Sequence, residues 1–132
     1  MRFRKRVARR YLADPKRLGQ WGEWQAYRYL RSGGYDVLAK NWAAPFGEVD
    51  LIARRNGHLY FIEVKTRQHS DLFRPEDAVT ADKSARYRQL AAYFIKQYQQ
   101  QGVPLRFLII SIDIDAERRP HLRELPMFSS FA

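Results

Sequence analysis

Gly47-Glu48-Val49-Asp50-Leu51-Ile52-Ala53 and His58-Leu59-Tyr60-Phe61-Ile62-Glu63-Val64-Lys65 flank the dipeptide Asn56-Gly57. Asn-Gly between two β-prone runs is the strongest short-range signal for a two-residue hairpin, because both loop positions need positive φ. With those two residues as the loop, Arg55 faces His58. Counting back along both strands, Asp50 faces Glu63 and Glu48 faces Lys65. Facing residues project from the same side of a strand pair, with Cβ atoms about 4.5–5.5 Å apart. Two carboxylates so placed repel unless a cation lies between them.

The alternation supports this register. Val49, Leu51, Tyr60, Ile62 and Val64 fall on one face; Glu48, Asp50, Ile52, Phe61, Glu63 and Lys65 fall on the other. A slip by one residue would mix the two sets, and burial on one face penalises that.

Outward from the hairpin, the chain reads as one unit. A helix is expected from about Arg17 to Arg31, stopped by Ser32-Gly33-Gly34. A first strand is expected over Tyr35 to Trp42, with Pro45 breaking it from the hairpin. Tyr87, Leu90, Ala91, Phe94, Ile95 and Tyr98 repeat at helical spacing within Ala81 to Gln101, and Gly102 closes that helix. Leu105 to Ile114 is a nearly continuous apolar run, which reads as a strand buried on both faces. His121 to Leu125 is a candidate edge strand. The long helix joins the hairpin to the buried strand, a crossover that makes a parallel pair. The expected fold is α/β: a mixed β-sheet of four to five strands flanked by helices, in the order α-β-β-β-α-β. Residues 1–16 form a basic N-terminal arm, residues 17–125 the domain, and residues 126–132 a C-terminal tail.

Composition narrows the partners. The 132 residues carry 24 Lys and Arg against 14 Asp and Glu, a formal charge of +10. That balance favours a polyanion, nucleic acid first and an acidic membrane surface second, although solubility alone also accounts for some basic domains. With no cysteine there is neither a disulfide framework nor a Cys zinc site, which fits a cytoplasmic protein. No apolar run approaches the roughly 20 residues of a membrane span. The basic start lacks the apolar stretch of a signal peptide.

A third acid lies on the first helix. Glu23 follows Gly19 and Gly22 and sits one turn from Ala26 and Tyr27, at the border of a small and apolar stripe. Each glycine costs about 1 kcal/mol of helix propensity relative to alanine. Such glycines suggest close approach of the helix backbone to the sheet.

Gly22-Glu23, Gly47-Glu48-Val49-Asp50-Leu51-Ile52, Phe61-Ile62-Glu63-Val64-Lys65-Thr66-Arg67 and Lys83 together resemble the YraN-like proteins. That bacterial group is similar to archaeal Holliday-junction resolvases and to the wider PD-(D/E)XK nuclease superfamily. The resemblance runs over about residues 17 to 112 and rests on the combined string, since Glu-x-Lys alone is common. It implies a restriction-endonuclease-like form of the expected sheet. It also implies a Mg²⁺ site (Mn²⁺ as the substitute ion) with Asp50 as first acid, Glu63 as second acid and Lys65 as catalytic lysine. The Val64 carbonyl is a further implied ligand, and Glu23 corresponds to the helical acid of the resolvase branch. One departure is visible: the buried strand reads Arg106-Phe107-Leu108 where such proteins tend to read Arg-Phe-Asp.

The chemistry so implied is hydrolysis of phosphodiesters in DNA ahead of RNA, with branched recombination or repair intermediates as the substrate class. Mg²⁺ takes oxygen ligands and keeps several waters. Carboxylates around Lys65 favour its ammonium form, so an electrostatic role is preferred to that of a base. Glu23 would hold a water of the ion or help bind a second ion. Glu48 would either neutralise Lys65 across the strands or extend the metal site. Arg54, Arg67, Arg74 and Lys83 are expected to contact phosphates, Lys83 foremost because the motif places it. Gln89 and Tyr93 match a two-residue element of RecB-like nucleases, although Tyr93 equally well flanks the core. The histidines show no ligand spacing, and packing is the commoner role for Trp21, Trp24 and Trp42. A homodimer is implied by analogy with junction resolvases. Two other functions fit the same residues: a nucleic-acid-binding protein that does not cut, and an accessory subunit of a DNA-processing complex.

Overall fold

The computed structural model describes residues 5–69 and 81–128. Its elements in chain order are α1 (Arg9–Leu12), α2 (Pro15–Ser32), β1 (Asp36–Ala44), β2 (Gly47–Arg55), β3 (His58–Gln68), α3 (Ala81–Gln97), β4 (Leu105–Ile114) and β5 (Pro120–Pro126). The strands form one sheet in the order β1-β2-β3-β4-β5. β3 and β4 are parallel and every other neighbouring pair is antiparallel. This is the mixed α/β sheet expected from the sequence, and it is consistent with a restriction-endonuclease-like fold.

Local chemistry explains the helix ends. Asp14 caps α2 by accepting the N–H groups of Lys16 and Arg17, with Pro15 in the first turn where its missing donor costs nothing. Gly33 donates back to the last carbonyls of α2, and Gly34 takes the left-handed turn at φ +83°. The long helix is shorter than the expected Ala81 to Gln101. It ends at Gln97, and Gln99 and Gly102 turn the chain with positive φ.

Each face of the sheet is covered by one helix. On one side Ala26 and Leu30 of α2 pack with Tyr35, Leu51, Ala53, Ile62, Ile110 and Ile112. On the other, Tyr87, Leu90, Ala91 and Phe94 of α3 pack with Val49, Ile52, Leu59 and Phe61. β4 therefore contributes to both cores, through Ile110 and Ile112 on one side and Ile109 on the other, as its unbroken apolar run requires. Leu108, where an aspartate was expected, is in register with Ile62 and packs on the α2 side.

The glycines of α2 behave differently from one another. A Cβ at Gly22 would lie 1.7 Å from Thr66 Oγ1, so helix and strand touch backbone to side chain there. Nothing lies within 4 Å of such an atom at Gly19, so the expected close approach holds for Gly22 alone.

Residues of the basic arm pack on the domain. Val7 is buried with Leu18 and Ile114, its N–H donates to the Arg118 carbonyl, and Arg118 Nη1 donates back to the Val7 carbonyl. At the other end Met127 is buried in the α3-side core, with Phe128 against Phe107.

Candidate functional site

The β2–β3 ladder pairs Arg55 with His58, Arg54 with Leu59, Ala53 with Tyr60, Ile52 with Phe61 and Leu51 with Ile62. That is the register expected of a two-residue Asn56-Gly57 loop, with both loop residues at positive φ. The ladder stops at Leu51 and Ile62, one step short of Asp50 and Glu63. There the Asp50 side chain takes over: Oδ2 accepts the Val64 N–H at 2.8 Å.

β1 breaks at the same place. Its pairing with β2 runs from Asp36 to Ala44, with a register shift between Val37 and Ala39; beyond that shift the register is constant, but Asn41 and Asp50 are left out of the ladder, and Asn41 has φ +50°. On one side of this break Lys40 and Leu51 belong with α2; on the other, Trp42 and Val49 belong with the α3-side core. This corrects the face assignment of Val49, which simple alternation had placed with Leu51. The pleat changes sides at residue 50, so Asp50 stands where the two faces of the sheet meet.

Acids reach that point from both faces. Glu63 lies on the α3 side, where Lys83 of α3 approaches its Oε2 at 2.5 Å and Lys65 its Oε1 at 3.6 Å. Glu23 comes from α2 and lines one cleft with Asn41, whose side chain lowers its pKa. Burial raises the pKa of Asp50 from its ordinary value. The Val64 N–H opposes that rise, and the charges of Glu63 and Glu48 add to it. Burial likewise raises Glu23, with Asp50 the next contributor. Tyr87 is pushed up too, by burial first and then by Glu63 and Asp50. A buried carboxylate that is costly to ionise among other carboxylates is a group that a cation would stabilise.

The donor chemistry discriminates between ions. Asp50 and Glu63 offer only oxygen, and among the described residues no three His, Cys, Asp or Glu side chains converge as a metal cluster. A closed tetrahedral zinc site needs such a cluster. Mg²⁺ is bound through one or two carboxylates and retains waters, so the pair fits a magnesium-type ion. Glu23, on the opposite face from Glu63, stands beside the pair rather than within a three-acid cage.

The remaining expected residues separate into near and far. Glu48 is exposed, and its charge acts on both Asp50 and Glu23. Arg67 lies on β3 two residues beyond Lys65, in register with Asp113 of β4. Arg54 is four residues along β2 from Asp50, about 14 Å at the usual strand rise. It donates to the Gln100 side chain at the hairpin tip. Gln89 is exposed on α3, while Tyr93 packs its ring against Trp42 and Phe46. Arg74 lies outside the described residues.

Sequence reasoning missed Asn41 and treated Tyr87 as core alone. The signal for Asn41 was present: asparagine is a poor strand former that tolerates positive φ, and it interrupts an otherwise strand-like run.

Residues 22–112 match the sequence model described as uncharacterised protein family UPF0102. The chain belongs to the UPF0102 family. This is the YraN family that the motifs resemble. A UPF0102 protein of Solibacter usitatus is 41% identical over 110 residues, covering 82% of this chain and 81% of that protein. One from Nocardia farcinica is 36% identical over 114 residues, covering 86% and 90%. One from Roseiflexus castenholzii is 38% identical over 99 residues, covering 74% and 80%. The UPF0102 match spans Glu23, Asp50, Glu63, Lys65 and Lys83 and excludes the basic N-terminal segment. Among the described residues no helix is long and apolar enough to cross a membrane.

Proposed function

We propose that this UPF0102 protein is a Mg²⁺-dependent nuclease that hydrolyses phosphodiester bonds in DNA. The observation that carries the reading is the placing of Asp50 and Glu63 at the end of the β2–β3 ladder, near enough for the charge of Glu63 to act on Asp50, with Lys65 and Lys83 both held on Glu63. Asp50 and Glu63 would hold the ion, with the Val64 carbonyl as a further donor. When bound, Mg²⁺ polarises the phosphate and acidifies a water. Lys65, 3.6 Å from Glu63, stabilises the charge that develops on the phosphate. Lys83, held on Glu63, would offer its ammonium group to a substrate phosphate. Glu23, beside Asn41 in the α2-side cleft, positions water from that side. Arg67 and the basic surface supply phosphate affinity with little sequence preference.

The test is cleavage of labelled duplex, single strand, flap and four-way junction with Mg²⁺ or Mn²⁺, for the native chain and for Glu63→Gln and Lys65→Ala. Metal-dependent cutting that both substitutions abolish is the expected result. One observation favours a second reading, a DNA-binding protein that does not cut: Lys65 and Lys83 already satisfy Glu63 without any ion. Binding without cutting in all three proteins would select it.

A further inference from the structure

On the α2 side of Asp50 lies a cleft of about 230 Å³, lined among others by Gln20, Glu23, Trp24, Lys40 and Asn41. Trp24 is 54% exposed at its lip, unusual for the largest apolar side chain. Its neighbour Tyr27 meets it edge to face, with centroids 5.5 Å apart and planes at 83°, a contact that uses one ring face of the pair. Lys40 Nζ lies 4.5 Å from the Tyr27 ring centroid, and Arg31 stacks on the same ring and donates to its hydroxyl. Tyr27 is therefore occupied, whereas the indole of Trp24 presents open surface. A second hollow, lined by Arg10, Tyr11, Arg17, Gln20 and Trp21, shares Gln20 with the first.

The two hollows differ in charge, and that difference identifies the ligand. Glu23 and Asp50 wall the first and outnumber Lys40, whose ammonium is turned onto the Tyr27 ring, so a phosphate is disfavoured there, while the amides of Gln20 and Asn41 can donate and accept as a base edge requires. Arg10 and Arg17 give the second hollow the opposite sign. An aromatic platform beside a cationic track is the arrangement that holds single-stranded nucleic acid. We propose that the first cleft takes an unpaired base of single-stranded DNA stacked on Trp24, with the adjoining phosphates on Arg10 and Arg17. This deepens the nuclease reading of the Asp50–Glu63 site, on which it rests for its substrate: a strand with at least one unpaired nucleotide next to the scissile bond.

The test is equilibrium binding of the full chain in EDTA to a labelled oligodeoxynucleotide and to the duplex of the same sequence. Trp24→Ala is expected to weaken single-strand binding about tenfold, the loss of one stacked base, and to leave duplex binding unchanged. Trp24→Phe is expected to keep most of the affinity but to lose the tryptophan fluorescence quench on binding. Replacing both Arg10 and Arg17 by alanine should flatten the salt dependence. Because Trp24 is exposed, thermal unfolding of the variants should match the native chain. Equal losses on both DNA forms, no loss on either, or no single-strand binding by the native protein would overturn the proposal. Absence of metal-dependent cutting with the Trp24 discrimination intact would instead overturn the nuclease reading alone.

Discussion

The two ends of the β2–β3 hairpin are made of the same kind of strand and behave in opposite ways. At the tip, Arg54 and Arg55 sit in an unbroken ladder with Leu59 and His58. Arg54 reaches across to Gln100, and Arg55 stacks on Tyr35. At the open end the ladder stops, Asn41 turns to positive φ, and Asp50 spends one oxygen on a backbone N–H. Regular pairing uses up backbone donors and leaves side chains to pack. Interrupted pairing leaves charged side chains to complete the structure, and there the chain keeps groups whose best partner is a cation.

Substitutions can sharpen this contrast. The largest effect is expected at the open end in activity: Lys65→Ala should slow metal-dependent cleavage about 10²–10³-fold, the usual cost of one electrostatic stabiliser. Single-turnover rates at saturating DNA would check it, and an unchanged rate would remove Lys65 from the chemistry.

Gly22→Ala comes next, in stability. Alanine would gain about 1 kcal/mol in an exposed helix interior. Here its Cβ meets Thr66, whose β-branched side chain has little freedom to turn, so overpacking of about 1–3 kcal/mol prevails. The net destabilisation is measured by urea unfolding. Adding Thr66→Ala should recover only part of it, because the Thr66 Cβ also lies within 2.9 Å of the new atom.

Asp50→Asn is expected to do the reverse, with a smaller magnitude. Asp50 and Glu23 have raised values in the fold, so the folded chain holds protons that the unfolded chain has released. Their contribution to stability is full below the ordinary values of 3.8 and 4.5 and falls as pH rises through the raised values. Asn keeps an oxygen for Val64 and removes the charge. Tm at neutral pH should therefore rise, the acid-side gain in native stability should shrink, and added Mg²⁺ should stabilise the native chain but not the variant. A Tm that responds to Mg²⁺ equally in both would place the ion elsewhere.

Arg54→Ala is expected to matter least. The tip lies far along the strand from the acids, so cutting should be unchanged and DNA affinity should fall by no more than a single phosphate contact, seen as about one unit less salt slope. A loss comparable with Lys65→Ala would erase the distinction between the two ends.

What could be read from the residues follows the same division. Asn56-Gly57 sets the register, and Leu105 to Ile114 sets the doubly covered strand, because both depend on local propensity and burial alone. Glu63, Lys65 and Lys83 were legible through their motif, and the structure joins them by ion pairs. Val49 was misassigned because a period of two carries no mark of a break, and the break depends on Asn41 in a neighbouring strand. Tyr87 looked like any core position at helical spacing; its nearness to Glu63 and Asp50 comes from how α3 crosses the sheet. Trp24 and Lys40 are brought to one cleft by the packing of α2 on β1, which no single segment encodes.

The parallel pairing of β3 with β4 also bears on how the chain reaches its fold. Leu59 pairs with Leu105, whereas the hairpin partners are close neighbours in sequence. A hairpin closes in about 1–10 μs, while distant pairing waits on the entropy of a long loop. β3 is thus expected to spend part of folding as an open edge carrying Leu59, Phe61 and Ile62, the kind of strand that recruits other chains. Pulse-labelled hydrogen exchange would show it as amides of Ile52 to Leu59 protected before those of Ile109 to Ile112, and the yield of refolding should fall with protein concentration during that interval.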